Sequence, residues 1–215
     1  MEALIVGSGD FINEETLKKY QELGCFIIAA DGGADKLYKA GILPELAIGD
    51  CDSIKKETVD WLKKQAIEIR TYPSKKDKTD MELCLDYAIE EGYKHIIISG
   101  GTGYRLDHTL ANITILVKYF LEGKKVILED DYNQISVISG ANRLEMKAYL
   151  GQNLSLIPML GQVKDVALKG LEYSSESLFF PFGSALGVSN VVVDEWVEIN
   201  IPEGIMLLIL SKDKE

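Results

Sequence analysis

This sequence has few cysteines and too little positive charge for several classes of protein. Only three cysteines, Cys25, Cys51 and Cys84, occur in 215 residues, and no two of them are closely spaced. Such a sparse, odd set favours reduced thiols over a disulfide framework. The formal net charge of −11 disfavours a surface that wraps nucleic acid, because such a surface needs clustered Lys and Arg.

Long apolar runs and a basic leader are also missing. No apolar stretch approaches the roughly 20 residues that span a bilayer. The N-terminal residues MEALIVGSGDF enter an apolar stretch at once, without the basic residues that open a signal peptide. Together with the cysteine content, this predicts a soluble, cytoplasmic protein without membrane or nucleic-acid partners.

Residues 3 to 130 alternate between short apolar runs and segments of helical composition. The predicted strands are 3–7, 25–30, 46–50, 67–70, 95–99 and 125–130. The predicted helices are 13–24, 34–41, 55–65, 79–92 and 106–123. This alternation is typical of βαβ units and predicts a mostly parallel sheet. Because the strands are continuously apolar, helices are expected on both faces of that sheet.

The pattern changes near Asp131. From Asn133 onward no long helical pattern occurs, and short apolar stretches are separated by glycine and proline. These stretches are 134–139, 153–159, 163–170, 190–201 and 205–210. Short strands at close spacing predict an antiparallel sandwich or barrel. We therefore predict two domains, residues 1–132 and 133–215.

Four unusual loops follow predicted strands of the first domain. They are ADGGAD (30–35), GDCDSI (49–54), SKKDKTD (74–80) and GGTGYRLDH (100–108). In an open parallel sheet, ligands bind beyond the carboxyl ends of the strands. The clustering of these loops at one sheet edge is the main indication of a functional site.

Asp50 and Asp52 are the most informative pair in these loops. Side chains two residues apart on extended backbone point to the same side, where two carboxylates repel unless a cation lies between them. Mg²⁺ takes oxygen ligands and commonly shares them with substrate phosphates, so it suits this pair. Alternatively, Asp52 or Ser53 caps the helix that begins near Lys55, which would explain only one of the acidic positions.

Asp80 has two interpretations of similar weight. Thr79 and Glu82 fit a capping box, and Asp80 would then lie in the first helical turn, where the macrodipole favours an anion. The same position at the ligand edge of the sheet could offer a third carboxylate to a metal ion.

The basic residues Lys75, Lys76 and Lys78 form the densest positive cluster. Such a run is usually a solvated loop. Because this one follows a strand at the ligand edge, a lysine here could meet a phosphate, and Lys78 is our choice.

The segment 100–108 combines a glycine-rich turn with charged residues. In a glycine-rich turn, backbone N–H groups such as that of Gly101 can approach a phosphate. The segment does not have the sequence of a P-loop. Arg105 can pair bidentately with phosphate oxygens. Asp107 is either a helix N-cap or part of the site, and His108 is expected to be structural.

Asp31 directly follows the second predicted strand, while the neighbouring glycines of 30–35 could serve only a tight turn. The turn GSGD (7–10) is a weaker candidate for a nucleotide contact.

No nucleophilic Ser-His or Cys-His pair is evident. The set of acids, one arginine, one lysine and glycine turns suits phosphoryl-type transfer, which depends on positioning and charge neutralisation.

Five segments resemble, in the same order, those of thiamine pyrophosphokinases: ADGGADKLY, LAIGDCDSI, DKTDMELCLDYA, GGTGYRLDH and GVSN (187–190). The resemblance implies the reaction of ATP and thiamine to AMP and thiamine diphosphate, with Mg²⁺. It implies an α/β domain with a Rossmann-like, mostly parallel sheet in 1–132 and a thiamine-binding antiparallel β-sandwich in 133–215. It also implies a homodimer that binds thiamine between its subunits.

The resemblance assigns roles to individual residues. It implies that Asp50, Asp52 and Asp80 handle the metal and the diphosphate, with Asp31 beside them. Arg105 and Asp107 match an R-x-D pair, and in a mechanistic hypothesis Arg105 and Lys78 bind phosphate oxygens while Asp107 is a candidate proton acceptor. Ser189 and Asn190 match a pair that contacts the thiamine pyrimidine, followed in this chain by Val191 instead of a polar residue.

Two other functions stay open at this point. One is a pyrophosphokinase for another alcohol, such as a hydroxymethylpterin. The other is a thiamine or nucleotide sensor without turnover.

Overall fold

We describe the fold from a computed structural model of the chain. It describes residues 2–10, 13–50, 52–73, 77–140 and 143–213, with the main chain only for Arg143. No helix within these ranges is long and apolar enough to cross a membrane. The chain divides into two compact units, residues 1–131 and 132–215.

The first unit is an α/β structure with a parallel sheet. Its strands are β1 (Glu2–Val6), β2 (Phe26–Ala30), β3 (Leu46–Gly49), β4 (Glu68–Thr71), β5 (His95–Ser99) and β6 (Lys125–Glu129). Its helices are α1 (Glu14–Glu22), α2 (Gly33–Ala40), α3 (Lys56–Lys64), α4 (Asp80–Glu90) and α5 (Leu106–Leu121). The strand order is β6-β5-β1-β2-β3-β4, and every neighbouring pair is parallel. The predicted alternation and the parallel sheet are confirmed.

Helices cover both faces of this sheet, as the continuously apolar strands predicted. Successive side chains of β2 point to opposite faces. Ile27 lies in a buried cluster with Leu17 of α1 and Leu37 of α2. Its neighbour Phe26 instead contacts Tyr87 of α4, with 6.3 Å between ring centroids.

The start of α4 is capped by Thr79. Its hydroxyl accepts a hydrogen bond from the Glu82 N–H group at 3.2 Å. The reciprocal half of the predicted capping box is not seen, because the Glu82 carboxylate accepts a hydrogen bond from Lys118 Nζ at 2.7 Å. The cap places Asp80 in the first turn of α4.

The other proposed caps differ from the sequence prediction. Helix α3 begins after Lys55, whose N–H group donates to Asp35 Oδ1 at 3.2 Å, so neither Asp52 nor Ser53 caps it. Helix α5 begins after Arg105, so Asp107 lies within its first turn and is not the N-cap.

The second unit is an antiparallel β-sandwich without a helix among residues 132–140 and 143–213. Its strands are β7 (Asn133–Ser139), β8 (Arg143–Lys147), β9 (Asn153–Pro158), β10 (Val163–Lys169), β11 (Ser175–Phe180), β12 (Asn190–Val191), β13 (Trp196–Asn200) and β14 (Ile205–Ser211). One sheet has the order β12-β9-β14-β7 and the other β11-β10-β13-β8. Leu156 and Leu208 of the first pack in one buried cluster with Val166 and Val197 of the second, which confirms the sandwich.

Candidate functional site

A cavity of about 550 Å³ opens at the carboxyl ends of the strands in the first unit. Its lining comes from the turn after β1, the ends of β2 and β3, the start of α4, the turn after β5 and one face of α5. The volume falls within the roughly 300–1,000 Å³ that is typical of small-molecule sites. The sequence prediction of a site at this sheet edge therefore corresponds to a real concavity.

Two glycine turns form one wall of the cavity by pairing with each other. The N–H group of Gly9 donates to the Gly100 carbonyl at 3.0 Å, and that of Asp10 donates to the Thr102 carbonyl at 2.8 Å. Gly100 has φ +74°, and a Cβ atom there would collide with the carbonyl group of Gly7. Glycine is required at this close approach because no other residue lets the two turns meet.

Three carboxylates line the cavity: Asp31, Asp50 and Asp80. Burial raises the pKa of Asp31; hydrogen bonds from Gly32 and Ser53 oppose that shift, while the charges of Asp80 and Asp50 reinforce it. Asp31 Oδ1 is buried and has no hydrogen-bond partner within the described part of the chain. The cavity thus concentrates negative charge and contains a polar atom that lacks compensation.

This acidic set fits a magnesium ion that arrives with phosphate ligands. No three His, Cys, Asp or Glu side chains of the described ranges are arranged to hold a metal by themselves. Mg²⁺ is usually held by one or two carboxylates together with water and substrate phosphates, so a complete protein cage is not needed. The oxygen-only donors and the uncompensated Asp31 oxygen suit such an ion, and the metal assignment stays a prediction.

Asp52 does not share the cavity with Asp50. It is exposed, lies in a turn at residues 52–54, and donates its N–H group to Asp50 Oδ1 at 3.1 Å. Strand β3 ends at Gly49, so both members of this pair lie beyond the strand. Cys51 lies outside the described residues, and the role of Asp52 at a metal stays a prediction.

Lys78 lines the cavity and is held by an acid of α4. Its Nζ atom lies 2.6 Å from Asp86 Oδ2, and the Tyr119 hydroxyl donates to Asp86 Oδ1 at 2.6 Å. The hydrogen bond and the charge of Asp86 raise the pKa of Lys78, so the lysine is a cation at neutral pH. Lys75 and Lys76 lie outside the described residues.

Arg105 lines the cavity and forms a bidentate ion pair with Asp107. Its Nη2 atom lies 2.5 Å from Asp107 Oδ2, and its Nε atom lies 3.1 Å from Oδ1. The hydrogen bond from Arg105 lowers the pKa of Asp107 to about 2. Asp107 is outside the cavity lining, and so low a pKa makes it a weak base in this arrangement.

Three further lining residues on α5 were missed or dismissed by the sequence analysis. His108, Thr109 and Asn112 line the cavity together with Arg105, at a spacing that places all four on one face of a helix. The Asn112 side chain donates from Nδ2 to the carbonyl of Gly101 at 2.7 Å. These three residues follow Arg105 at intervals of three, four and seven residues. This helical spacing is the sequence signal that could have identified the face.

Ser189 and Asn190 lie in the second unit. The Asn190 side chain is buried and hydrogen-bonded to the main chain of Tyr173, donating at 3.1 Å and accepting at 3.0 Å. Ser189 is exposed, has φ +59°, and donates its N–H group to Ser155 Oγ at 3.0 Å. The Asn190 side chain therefore holds the chain at residue 190 to the segment at Tyr173, and contact of Ser189 or Asn190 with thiamine stays a prediction.

The parallel sheet, the glycine turns and the acidic cavity define an α/β protein with a concave site at the carboxyl ends of its strands, where open parallel sheets bind their ligands. The family model for the thiamin pyrophosphokinase catalytic domain matches residues 17–128. That for the thiamin pyrophosphokinase vitamin B1 binding domain matches residues 141–206. The chain belongs to the thiamin pyrophosphokinase family and is an enzyme.

Individual relatives agree with this assignment. The thiamine pyrophosphokinase of Bacillus subtilis (strain 168) is 33% identical over 186 residues, which cover 86% of this chain and 87% of the relative. Thiamine pyrophosphokinase 1 of Oryza sativa subsp. japonica is 26% identical over 80% of this chain and 74% of its own length. The hydroxymethylpterin and sensor alternatives are not favoured.

Solved structures show the same fold. The crystal structure of thiamine pyrophosphokinase from Bacillus subtilis superposes with a TM-score of 0.91 at 29% identity, over 100% of both chains. The yeast thiamin pyrophosphokinase structure has a TM-score of 0.80 at 17% identity, covering 98% of this chain and 86% of the yeast chain. At that identity the yeast structure supports the fold alone.

Proposed function

We propose that the protein transfers the diphosphate group of ATP to the hydroxyl group of thiamine, giving thiamine diphosphate and AMP. The observation that carries this proposal is the occurrence of both family domains in one chain, with the acidic, glycine-lined cavity inside the first. In the reaction the thiamine hydroxyl oxygen bonds to the β-phosphorus, and the bond from that phosphorus to the oxygen of AMP breaks.

The cavity residues suit the nucleotide in this reaction. Arg105 and Lys78 can bind phosphate oxygens, and the guanidinium fork matches two oxygens at once. The turn at Gly101 can bring backbone N–H groups close to a phosphate. Asp50 and Asp80 would hold a magnesium ion, whose charge offsets that of the phosphate oxygens when it is bound.

The proposal also includes the binding of thiamine, the oligomeric state and the cellular location of the protein. The thiazolium cation of thiamine suits a site rich in carboxylates, because opposite charges attract in a partly desolvated cavity. The protein is a homodimer with thiamine bound between subunits, as the family resemblance implies. Cys25 and Cys84 are buried and form no disulfide, which supports a cytoplasmic location.

The reaction is tested by incubating the protein with ATP, Mg²⁺ and either thiamine or a hydroxymethylpterin. We expect AMP and thiamine diphosphate to form in equal amounts with thiamine, and no AMP to form with the pterin or without an alcohol. AMP release that requires the pterin, or thiamine binding without AMP formation in saturating Mg-ATP, would refute the proposal.

Replacing Ser189 with alanine is expected to weaken the interaction with thiamine and not that with ATP. Loss of one hydroxyl hydrogen bond should raise the KM for thiamine about threefold to tenfold. Steady-state kinetics with each substrate varied in turn measure the effect. Ser177→Ala is the control, because Ser177 is an exposed serine of the same unit whose hydroxyl donates to Asp165 at 3.0 Å. An unchanged KM for thiamine, or an equal rise for both substrates, would contradict the assignment.

A further inference from the structure

The turn at residues 100–103 has its carbonyl groups occupied by hydrogen bonds from the protein. The turn after β1 supplies two of these bonds, from Gly9 to the Gly100 carbonyl at 3.0 Å and from Asp10 to the Thr102 carbonyl at 2.8 Å. Both are main-chain bonds, so they depend on the path of the two turns and not on a particular side chain.

Helix α5 supplies the other two bonds from side chains. Asn112 Nδ2 donates to the Gly101 carbonyl at 2.7 Å, and the Thr109 hydroxyl donates to the Gly103 carbonyl at 3.3 Å. Four consecutive carbonyl groups are thereby bound from within the protein. The shorter of these two side-chain bonds is buried, and it is the one made by Asn112.

The direction of these carbonyl groups matters for an anionic ligand. A carbonyl oxygen carries negative partial charge and repels a phosphate, whereas a backbone N–H group attracts it. A turn that offers its N–H groups to phosphates must direct its carbonyl groups elsewhere. The four hydrogen bonds hold the carbonyl groups of residues 100–103 towards donors of the protein itself.

Asn112 is an unexpected residue for its location. Its side chain is only 7% exposed, and burying a polar amide is unfavourable unless hydrogen bonds compensate it. Gly101 leaves little room to rearrange, because a Cβ atom there would lie 2.9 Å from Ile98 Cγ2 and 3.1 Å from Leu128 Cδ1. The amide of Asn112 therefore holds the carbonyl of Gly101 at a tightly packed point of the cavity wall.

We propose that Asn112 is a positioning residue for the nucleotide: its side-chain amide holds the Gly101 carbonyl away from the phosphates, so that the turn presents N–H groups to them. The inference rests on the proposed function for the identity of the ligand, a nucleoside triphosphate. Asn112 acts here through Gly101 and needs no contact of its own with the substrate.

The test compares Asn112→Ala and Asn112→Asp with the unaltered enzyme. Asn112→Ala is expected to raise the KM for ATP about tenfold, as for the loss of one hydrogen bond of ordinary to high strength. The change in kcat should stay below about threefold, because a positioning contact acts on ground state and transition state alike. Asn112→Asp should raise the KM further, because a carboxylate cannot donate to the carbonyl and repels phosphate.

Thr58→Val is the matched control for stability. Thr58 is fully buried in α3, and its hydroxyl donates to Asp35 at 2.5 Å, but it does not line the cavity. The control variant and Asn112→Ala are both expected to lose thermal stability, because each loses a buried side-chain hydrogen bond, but only the control should keep the KM for ATP of the unaltered enzyme. An unchanged KM in Asn112→Ala, or the same rise in Thr58→Val, would overturn the inference.

A binding measurement separates this inference from the proposed function. Calorimetry with Mg²⁺ and a non-hydrolysable ATP analogue measures the affinity of the protein for the nucleotide in the absence of turnover. If the unaltered protein binds the analogue but forms no thiamine diphosphate, the proposed function fails, and a roughly tenfold loss of affinity in Asn112→Ala still supports the positioning role. If turnover is normal and the affinity of Asn112→Ala is unchanged, the positioning role fails alone.

Discussion

Replacing Asp80 or Asp50 with asparagine is expected to lower kcat by roughly two to three orders of magnitude. Asparagine keeps the size of the side chain but removes the negative charge that would hold a magnesium ion beside the phosphates. Both carboxylates line the cavity with Asp31. An acid outside the cavity is too far away to take over the metal contact of either one. The measurement is the initial rate of AMP formation at saturating ATP and thiamine.

These variants should remain folded, because the charges of Asp50 and Asp80 disfavour ionisation of Asp31, so neither charge is needed to stabilise the fold. The pKa of Asp31 is raised by burial and further by the charges of Asp80 and Asp50. When the pKa of an acid is higher in the folded than in the unfolded protein, the free energy of unfolding falls as the pH rises from the unfolded-state pKa through the folded-state pKa. The loss of stability persists at higher pH. Asp50→Asn removes one of these repulsions, so its melting temperature at neutral pH should equal or exceed that of the unaltered protein.

Two comparison variants make this prediction specific. Asp60→Asn changes an exposed acid of α3 outside the cavity and should leave kcat unchanged. Asp52→Asn tests whether the predicted set has three carboxylates or two, since Asp52 lies outside the lining in this structure. Full activity in both Asp50→Asn and Asp80→Asn would refute a catalytic role for these acids, and unfolding would show that they are structural.

The fold of the first unit was predictable because local and long-range signals agree. Strands such as Leu46–Gly49 are continuously apolar, and they are buried on both faces between helices. Helix α2 ends where Gly41 adopts φ +67°, as its place after the helical stretch predicted. In a parallel sheet these elements leave little choice of topology.

The second unit was harder to predict because its strands depend on partners distant in sequence. Strand β8, RLEMK, has three charged residues in five, and its pairing with β13 decides its structure. Strand β11 starts with polar residues and was missed as well. The apolar stretch 190–201 suggested one strand, but a turn divides it where the Trp196 N–H group donates to Asp194 at 3.1 Å.

The site shows the same limit. Its sheet edge was predictable, since parallel strands carry their ends to one side. The prediction for Asp52 assumed extended backbone beyond Gly49, whereas β3 ends there and a turn begins at Asp52, so the role of Asp52 at a metal stays a prediction. Asn112 was missed because its helical spacing from Arg105 was overlooked, and because its hydrogen-bond partner Gly101, 11 residues away, is brought beside it only by the fold.

Replacing Arg105 with alanine should reduce kcat/KM for ATP by roughly two to three orders of magnitude. A bidentate, charge-assisted pair with phosphate is among the stronger polar contacts a protein makes, and it is expected to strengthen as charge shifts in the transition state. Arg105→Lys should lose nearly as much, because the ammonium group keeps the charge but not the fork. Steady-state kinetics with ATP varied at saturating thiamine measure both variants.

The ion pair with Asp107 adds a second, opposite effect to this prediction. Because the pKa of Asp107 is about 2, it stays ionised at neutral pH and competes with phosphate for the guanidinium group. Asp107→Asn weakens that competition and should lower the KM for ATP about twofold to fivefold, the range set by an exposed ion pair. A higher KM in this variant would instead show that Asp107 orients Arg105.

A matched pair in the same unit provides the control for Arg105. Arg70 lies two residues from Glu68, as Arg105 does from Asp107, with its Nε atom 2.6 Å from Glu68 Oε1, but it is outside the cavity lining. Arg70→Lys therefore removes a partly exposed guanidinium group that lies outside the site, and the kinetics of this variant should match those of the unaltered enzyme. If Arg105→Lys and Arg70→Lys behave alike, the guanidinium group of Arg105 does not bind the phosphates, and the cation that faces them must be sought at Lys78.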